Sequence, residues 1–249
     1  MFVMKKTLIL IPSRMAATRL PGKPLLKINN LSIVSHVFKR AKEANIGEVV
    51  VATEDQEILE DVLKNGGKAI LTRRDHKTGT DRIFEAYKKL DIKNIDYILN
   101  LQGDEPDINK DDIITLNNTM INNDADIGTL AATIENKKML VDKNIVKVIT
   151  QSKLEKNNFP AALNFTRNDL SKDYENIYHH IGIYSYKVKA LESFVILNQT
   201  NNEIKNKLEQ LRALDNKIKM NVALAKSSPI GVDTEEDYLA IKKIMEYKL

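Results

Sequence analysis

Short apolar runs alternate with amphipathic segments along the first hundred residues of the chain. The apolar runs have the length of strands, and they predict strands at Thr7–Ile11, Glu48–Thr53, Lys68–Thr72 and Asp96–Leu101. Between these runs, apolar residues recur at helical spacing, which predicts helices at Ser32–Asn45, Asp55–Asn65 and Asp81–Leu90. Because the strands are apolar throughout, the pattern is typical of a parallel sheet that helices cover on both faces.

The second half of the chain has a less regular pattern. It predicts helices at Lys110–Ile121, Lys187–Leu197, Lys205–Leu214 and Thr234–Tyr247. It predicts strands at Ile127–Thr133, Ile145–Thr150, Ile181–Tyr186 and Met220–Ala225, whereas Gln151–Tyr178 is polar and weakly patterned. We therefore expect a single α/β domain over residues 1–249, with an inserted antiparallel subregion at about 130–220.

Composition narrows the class of protein. Hydrophobic residues make up 43% and charged residues 29% of 249 residues, as in ordinary globular proteins that bury a core. No apolar run approaches the roughly 18 residues of a membrane span, so we expect no membrane insertion. The start, MFVMKKTLILIPSR, has too short an apolar part for a signal peptide and is interpreted as the first core strand. The chain has no cysteine, which excludes thiol catalysis and fits a cytoplasmic location.

The charge pattern argues against a nucleic acid partner. The net charge is +4, but the basic residues are scattered rather than clustered with aromatic side chains on one face. We interpret most lysines as part of a solvated surface.

A cationic loop follows the first predicted strand. Arg14, Arg19 and Lys23 lie close together there, beside Gly22 and other small residues. Small residues let backbone amides approach a phosphate, and the cations would neutralise it. The loop matches neither a Walker loop nor a dinucleotide fingerprint, and the alternative is a solvated basic loop. Its place at the ligand edge of a parallel sheet favours phosphate binding.

Two aspartates are candidate metal ligands. Asp104 lies in the segment QGDEP directly after the strand Asp96–Leu101, and Asp233 comes just before the last helix. Carboxylates at such positions can bind Mg²⁺ together with substrate phosphates. The alternatives are a β-turn at Asp104 and a helix cap at Asp233. Glu105 and Asp107 are expected to shape the turn or cap the next helix.

Three further segments carry polar groups of interest. Thr72–Arg82 could supply backbone amides at a helix start, or be a capping turn with His76 as a surface histidine. Tyr178–Tyr184 contains a histidine pair, but no third ligand with suitable spacing supports a zinc site. Lys207–Ala213 has leucines typical of a core helix, while Glu209, Gln210 and Arg212 could point elsewhere.

In combination, these segments resemble one family. The order IPSRMAATRLPGKPLL, TRRDHKTGTDR, NLQGDEPDI, HHIGIYSY, LEQLRAL and GVDTEEDY is similar to the 3-deoxy-manno-octulosonate (Kdo) cytidylyltransferases over nearly the whole chain. The resemblance implies a Rossmann-like, mostly parallel sheet of the nucleotide-diphospho-sugar transferase type, and a homodimer formed through the inserted subregion. It also implies that CTP and the acidic sugar Kdo give CMP-Kdo and pyrophosphate, with Mg²⁺ as cofactor, for lipopolysaccharide biosynthesis.

The resemblance also implies residue roles. Arg14, Lys23, Asp104 and Asp233 would be catalytic, with Asp104 and Asp233 as the metal ligands. The nucleotide would contact Arg14, Arg19, Lys23, Arg73, Thr78, Gly79, Thr80 and Gln102. The sugar would contact Gln102, Arg167, His180, Tyr184, Glu209 and Gln210. A guanidinium matches a carboxylate in two hydrogen bonds, which suits Arg167 to the acidic sugar.

One segment departs from the family pattern. Members usually have an aromatic–Ser–Arg segment followed shortly by Ile–Pro, whereas Asn164–Leu170 keeps the arginine and has no proline after it. The sugar therefore stays open between Kdo and its 8-amino analogue or another related sugar acid.

Overall fold

The computed structural model describes residues 5–16, 19–171 and 175–247. The chain divides into two compact units. The first consists of Met1–Ile113 and Pro229–Leu249, and the second of Ile114–Ser228. Within the described residues, no helix is long and apolar enough to cross a membrane.

The first unit contains the predicted alternation of strands and helices. In chain order its elements are β1 (Thr7–Ser13), a 3-10 helix (Lys23–Leu25), β2 (Lys27–Ile28), β3 (Leu31–Ser32), α1 (Ile33–Glu43), β4 (Gly47–Thr53), α2 (Gln56–Lys64), β5 (Ala69–Leu71), α3 (Gly79–Leu90), β6 (Tyr97–Asn100) and α4 (Lys110–Asn123), within which this unit ends. Strands β6, β1, β4 and β5 are neighbours in that order, and all their pairings are parallel. This sheet confirms the predicted mostly parallel α/β class.

Apolar burial explains why these elements form. Leu8, Ile9, Leu10 and Ile11 of β1 are fully buried, as expected for a central strand covered by helices on both faces. Helices α1 and α2 contact β4, and α3 contacts β1. The predicted cap of α1 is confirmed, because the Ser32 hydroxyl accepts a hydrogen bond from the Ser35 amide at 3.2 Å.

The second unit is built around antiparallel strands. Its elements are β7 (Ile127–Ala132), α5 (Lys138–Val141), β8 (Lys147–Thr150), β9 (Ala162–Thr166), β10 (Ile177–Lys187), α6 (Val188–Val195), α7 (Asn201–Asn206), α8 (Leu211–Asp215) and β11 (Met220–Leu224). The strands follow the order β11, β7, β10, β8, β9, and only the β11–β7 pairing is parallel within this unit. This unit contains the expected antiparallel subregion.

One sequence prediction in the second unit was wrong. The single helix expected at Lys205–Leu214 is two short helices, α7 and α8, because Lys207 adopts the left-handed conformation with φ of 52°. The weakly patterned stretch Gln151–Tyr178 contains β9, which pairs with β8 along one edge.

The last helix, α9 (Glu235–Tyr247), belongs to the first unit. Its predicted cap is confirmed, since the Thr234 hydroxyl accepts a hydrogen bond from the Asp237 amide at 3.2 Å. Ile241 and Met245 pack in a buried cluster with Ile28, Ile33 and Val232. The chain before α9, which contains Asp233, is therefore held against the β2–β3 region.

Candidate active site

A cavity of about 370 Å³ lies in the first unit, where the loops after β1 and β6 meet. Such edges of parallel sheets are the usual place for ligands. Sixteen residues line it: Pro12, Ser13, Arg14, Ala16, Arg19, Lys23, Pro24, His76, Lys77, Thr78, Gly79, Arg82, Gln102, Gly103, Asp104 and Asp233. The lining combines several cations with two carboxylates, a composition suited to a phosphorylated ligand.

Lys23 brings the two predicted metal ligands together. Its ammonium lies 2.7 Å from Asp104 Oδ2 and 3.4 Å from Asp233 Oδ1, although the two aspartates are far apart in sequence. Burial disfavours the ammonium, but the attraction of Asp104 and Asp233 outweighs it and raises the pKa of Lys23. The lysine is therefore a permanent cation between two carboxylates.

Arg19 adds a second cation at the same place. Its Nη2 lies 2.9 Å from Asp233 Oδ2, and both side chains are more than half exposed. An ion pair this open is weak and can exchange partners at little cost. The guanidinium is thus free to turn from Asp233 to an anionic ligand.

The loop that carries Lys23 is fixed by backbone contacts. The Met15 amide donates to Asp55 Oδ2 at 2.7 Å, and the Gly22 amide donates to the Met15 carbonyl at 3.3 Å. Gly22 has a φ of 71°, in the left-handed region that glycine adopts without strain, and it immediately precedes the 3-10 helix at Lys23. These contacts explain how a loop rich in small residues aims its lysine into the cavity.

The QGDEP segment approaches the end of β1 closely. A Cβ at Gly103 would lie only 2.9 Å from the Pro12 carbonyl oxygen, so only glycine fits there. The Val232 amide donates to the Asp104 carbonyl at 2.9 Å, which ties this loop to the segment that contains Asp233. The backbone thereby sets the separation of the two aspartates.

The three carboxylates of this segment have different environments. Burial, with repulsion from Asp104 and Asp233, raises the pKa of Glu105 to about 8, so this carboxyl is largely protonated at neutral pH. Asp107 Oδ1 lies 3.4 Å from Arg40 Nη2. Asp104 is the member that lines the cavity, whereas Glu105 and Asp107 are not among the described lining residues.

Metal binding can be tested against the donor set. Among the described residues, no group of three or more His, Cys, Asp or Glu side chains could hold a metal ion. Two carboxylates that one ammonium reaches suit Mg²⁺, which keeps water and substrate phosphates in its shell and needs few protein ligands. The residues present therefore fit the predicted magnesium site.

The segment before α3 forms another side of the cavity. Thr78 caps α3 by accepting a hydrogen bond from the Asp81 amide at 3.2 Å, and Gly79 is the first residue of the helix. Thr78, Gly79 and Gln102, which are predicted nucleotide contacts, line the cavity. Thr80, which is buried, faces Asn100 Nδ2 at 3.4 Å, and Arg73 is two-thirds exposed beside Glu85; neither is among the described lining residues.

Three ionisable lining residues were not among the predicted site residues: His76, Lys77 and Arg82. The alternative of a surface histidine at position 76 is wrong, because only 7% of the His76 side chain is exposed. Arg82 is buried and forms an ion pair with Glu54. Their position within Thr72–Arg82 was the available signal, but their burial depends on contacts distant in sequence.

Two of the predicted sugar ligands lie on β10 of the second unit. His180 Nε2 lies 3.0 Å from the Thr129 hydroxyl, which itself donates to the Ile183 carbonyl at 2.7 Å. The hydroxyl therefore accepts from Nε2–H, and this fixes the imidazole tautomer. Burial, with nearby His179 and Arg167, lowers the pKa of His180 to about 3. Its ring centroid lies 5.5 Å from that of Tyr184.

The remaining predicted sugar ligands lie elsewhere in this unit. Arg167 Nη1 donates to the Asn144 carbonyl at 2.7 Å. Glu209 and Gln210 lie in the turn between α7 and α8, and Gln210 is 6% exposed. Buried polar side chains need hydrogen-bond partners. The positions of Glu209 and Gln210 therefore depend on the contacts that hold this turn.

A buried ion pair holds that turn. Arg212 Nε and Nη2 lie 2.9 Å and 2.6 Å from the two oxygens of Glu203, with 2% and 4% of the side chains exposed. The guanidinium carbon Cζ of Arg212 lies 4.8 Å from the centroid of the Phe194 ring. Burial would raise the pKa of Glu203, but hydrogen bonds from Arg212 and Gln199 lower it. Helices α7 and α8 are therefore clamped on either side of Glu209 and Gln210.

Comparison with known proteins identifies the family. Residues 8–220 match the model of the cytidylyltransferase family. A 3-deoxy-manno-octulosonate cytidylyltransferase of Rhodopseudomonas palustris (strain BisB18) is 43% identical over 243 residues, which cover 97% of this chain and 98% of that protein. One of the same name from Nitrobacter hamburgensis is 44% identical over 96% of this chain and 93% of its own length.

Solved structures agree with this grouping. The structure of CMP:2-keto-3-deoxy-manno-octonic acid synthetase complexed with CTP superposes with a TM-score of 0.89 at 33% identity, covering 98% of this chain and 100% of that one. UDP-glucose pyrophosphorylase complexed with UDP-glucose shares the fold, with a TM-score of 0.72 at 16% identity over 99% and 100% of the two chains. The chain belongs to the cytidylyltransferase family, among the 3-deoxy-manno-octulosonate cytidylyltransferases.

Proposed function

We propose that this protein transfers the cytidylyl group of CTP to Kdo, giving CMP-Kdo and pyrophosphate. The observation that carries the proposal is the position of Lys23, whose ammonium contacts both Asp104 and Asp233 in a cavity that Arg14 and Arg19 also line. Three cations and two carboxylates around one cavity suit a nucleoside triphosphate with its metal ion. The named relatives act on this sugar and supply the substrate class.

The charges of the cavity account for the phosphoryl chemistry. The anomeric hydroxyl of Kdo attacks the α-phosphorus and loses its proton to solvent water, and pyrophosphate leaves with the electron pair of the broken P–O bond. Negative charge grows on the leaving group and on the phosphoryl oxygens, where Arg14, Arg19 and Lys23 would stabilise it. Lys23 keeps its proton because its pKa is raised, so we assign it to the leaving pyrophosphate.

Asp104 and Asp233 would hold Mg²⁺ during this reaction, as their shared contact with one ammonium suggests. When bound, the ion supplies Lewis acidity that neutralises phosphate charge and lowers the pKa of the attacking hydroxyl. Lys23 would then exchange its carboxylate partners for phosphate oxygens. No side-chain base is required by this scheme.

We assign the nucleotide to the walls formed by Thr78, Gly79 and Gln102, with Arg73 and Thr80 as further predicted contacts. The sugar acid would contact Gln102, Arg167, His180, Tyr184, Glu209 and Gln210. A guanidinium fork suits the carboxylate, and neutral polar groups such as His180 suit the hydroxyls.

We also propose that the protein is a homodimer formed through the antiparallel subregion. Leu163 on β9 and Val141 at the end of α5 expose 59% and 46% of their surface, and a partner would cover such apolar side chains. Sedimentation should then give about twice the chain mass of 28.3 kDa, and Leu163→Lys should shift the equilibrium toward the monomer.

We place the reaction in the cytoplasm, where CTP is made, and its product in lipopolysaccharide biosynthesis.

A pyrophosphate-release assay tests the function. The protein, CTP and Mg²⁺ should release pyrophosphate with Kdo, and omission of the sugar gives the background. Release with 8-amino-Kdo and not with Kdo would transfer the proposal to that analogue. No release with either sugar, in a preparation whose melting temperature rises with CTP, would refute the sugar assignment and leave nucleotide binding intact.

A further inference from the structure

The carboxylate of Glu85, on α3, receives several hydrogen bonds from the segment that borders the cavity. The Arg73 amide lies 3.2 Å from both of its oxygens, and His76 Nε2 contacts Oε2. The ammonium nitrogen Nζ of Lys89, one turn further along α3, lies 2.6 Å from Glu85 Oε1. One side chain thus links the start and the middle of this segment to the helix that follows it.

Glu85 is sheltered and charged. Its side chain is 15% exposed and that of His76 only 7%. Burial would raise the pKa of Glu85, but hydrogen bonds from Lys89, His76 and the Arg73 amide outweigh it and lower the pKa to about 2. Hydrogen bonds to an ionised and sheltered carboxylate are among the stronger ones in proteins.

The segment it holds lies outside regular secondary structure, because residues 72–78 form neither helix nor strand. The Thr72 amide donates to the Thr53 carbonyl at 2.7 Å, and side-chain contacts hold much of the rest. Arg82 anchors the beginning, since its Nη1 donates to the Thr72 hydroxyl at 2.6 Å and to the Arg73 carbonyl at 3.2 Å. The end is anchored where Thr78 caps α3, and Glu85 holds the middle through His76, which lines the cavity next to Lys77 and Thr78.

We propose that Glu85 is a positioning residue for the nucleotide. By holding the Arg73 amide and the His76 imidazole, it keeps the wall formed by residues 76–79 in place before the ligand arrives. Ordering a wall in advance removes that cost from binding, so affinity for the nucleotide depends on a carboxylate that does not line the cavity. The inference rests on the proposed use of CTP.

The proposal separates nucleotide binding from sugar binding. Glu85→Gln keeps the shape of the side chain and removes its charge, which weakens the contacts with Arg73 and His76. We expect the dissociation constant and the KM for CTP to rise about 10-fold, the loss of roughly one charged hydrogen bond. The KM for the sugar acid should stay within about twofold, because its predicted ligands lie elsewhere.

Lys89→Met is the matched control. It removes a partner from the same carboxylate, together with a contact of Lys89 Nζ with the Leu71 carbonyl at 3.0 Å. The contacts of Glu85 with Arg73 and His76 stay in place, so CTP affinity should stay near wild type. If Lys89→Met weakens CTP binding as much as Glu85→Gln does, the effect comes from helix stability and the proposal is overturned.

His76→Leu provides a second route, also useful if Glu85→Gln does not fold. It should weaken CTP binding. The double variant Glu85→Gln/His76→Leu should lose less binding free energy for CTP than the sum of the two single variants, because both substitutions remove the same contact. Calorimetric titration with CTP and Mg²⁺ measures all of these affinities. Wild-type affinity in folded Glu85→Gln or His76→Leu overturns the inference alone, whereas failure of the wild type to bind CTP overturns the proposed function as well.

Discussion

The ion pairs around the cavity and the ion pair behind Glu209 and Gln210 are built in opposite ways. Lys23 contacts Asp104 and Asp233 through one oxygen of each carboxylate. The three side chains are 13%, 31% and 51% exposed. Arg212 and Glu203 form two parallel contacts and are almost fully buried. The open set can exchange its partners for a ligand, whereas the closed pair fixes backbone geometry. The comparison indicates that solvent access, more than N–O distance, separates ion pairs that can exchange partners with a ligand from ion pairs that fix the backbone.

The closed pair should give the largest effect on stability. Arg212→Met leaves the Glu203 carboxylate buried without its partner, and we expect the free energy of unfolding to fall by about 3–5 kcal/mol. Urea denaturation measures the loss. The double variant Glu203→Leu/Arg212→Met removes both charges and should recover much of it. If the single variant costs less than about 1 kcal/mol, the pair behaves like a surface pair and the comparison fails.

The open set should give its largest effect on turnover. Asp104→Asn keeps the side-chain volume and removes a charge that we assign to magnesium binding, so kcat should fall on the order of 10²-fold. Pyrophosphate release measures the rate, and the midpoint of urea unfolding should barely change. Asp107→Asn is the matched control on the same segment, since Asp107 pairs with Arg40 away from the cavity lining. Near-normal turnover of Asp104→Asn would contradict the metal assignment.

The free energy of unfolding should also fall in acid because of buried His180 on β10. Folded His180 has a pKa of about 3 against its usual value of 6.5, so between these pH values the unfolded chain binds a proton that the folded protein does not. Stability contributed by neutral His180 is therefore lost as pH falls below about 6.5, by at most about 1.4 kcal/mol per pH unit. His180→Gln should show a shallower decline in unfolding free energy between pH 6.5 and 4. Parallel curves would indicate a histidine that protonates freely.

The smallest effect is expected at a short but exposed pair. Lys68 Nζ lies 2.7 Å from Glu48 Oε1, the same distance as Lys23 from Asp104, yet the two side chains are 65% and 39% exposed. Lys68→Met should change the free energy of unfolding by less than about 1 kcal/mol. A larger loss would show that distance alone ranks these pairs.

The sequence predicted best where local pattern and tertiary structure agree. The apolar runs of β1 and β4 are buried strands because helices cover both faces, which the lack of alternation indicates directly. The caps Ser32 and Thr234 were predictable because their partners lie three residues away.

The prediction failed where the deciding contact is distant or local pattern is absent. Strand β9 exposes two neighbouring residues, Leu163 and Asn164, so no alternation marks it, and its pairing with β8 decides its conformation. The left-handed Lys207 interrupts an apparently continuous helical pattern of leucines. His76 looks like a surface residue until Glu85 folds against it. Asp104 and Asp233 were predicted as metal ligands, but their shared contact with Lys23 was not predicted, since no spacing encodes it.

The close approach at Gly103 has a consequence for directed evolution of this protein. A library that randomises QGDEP to change the accepted sugar can vary Gln102, but every side chain at position 103 would press on the Pro12 carbonyl. The strain would pass to β1, and from there to the loop that presents Lys23. Position 103 should therefore stay fixed in such a library, and variants that tolerate change there should carry a compensating shift in the β1 loop.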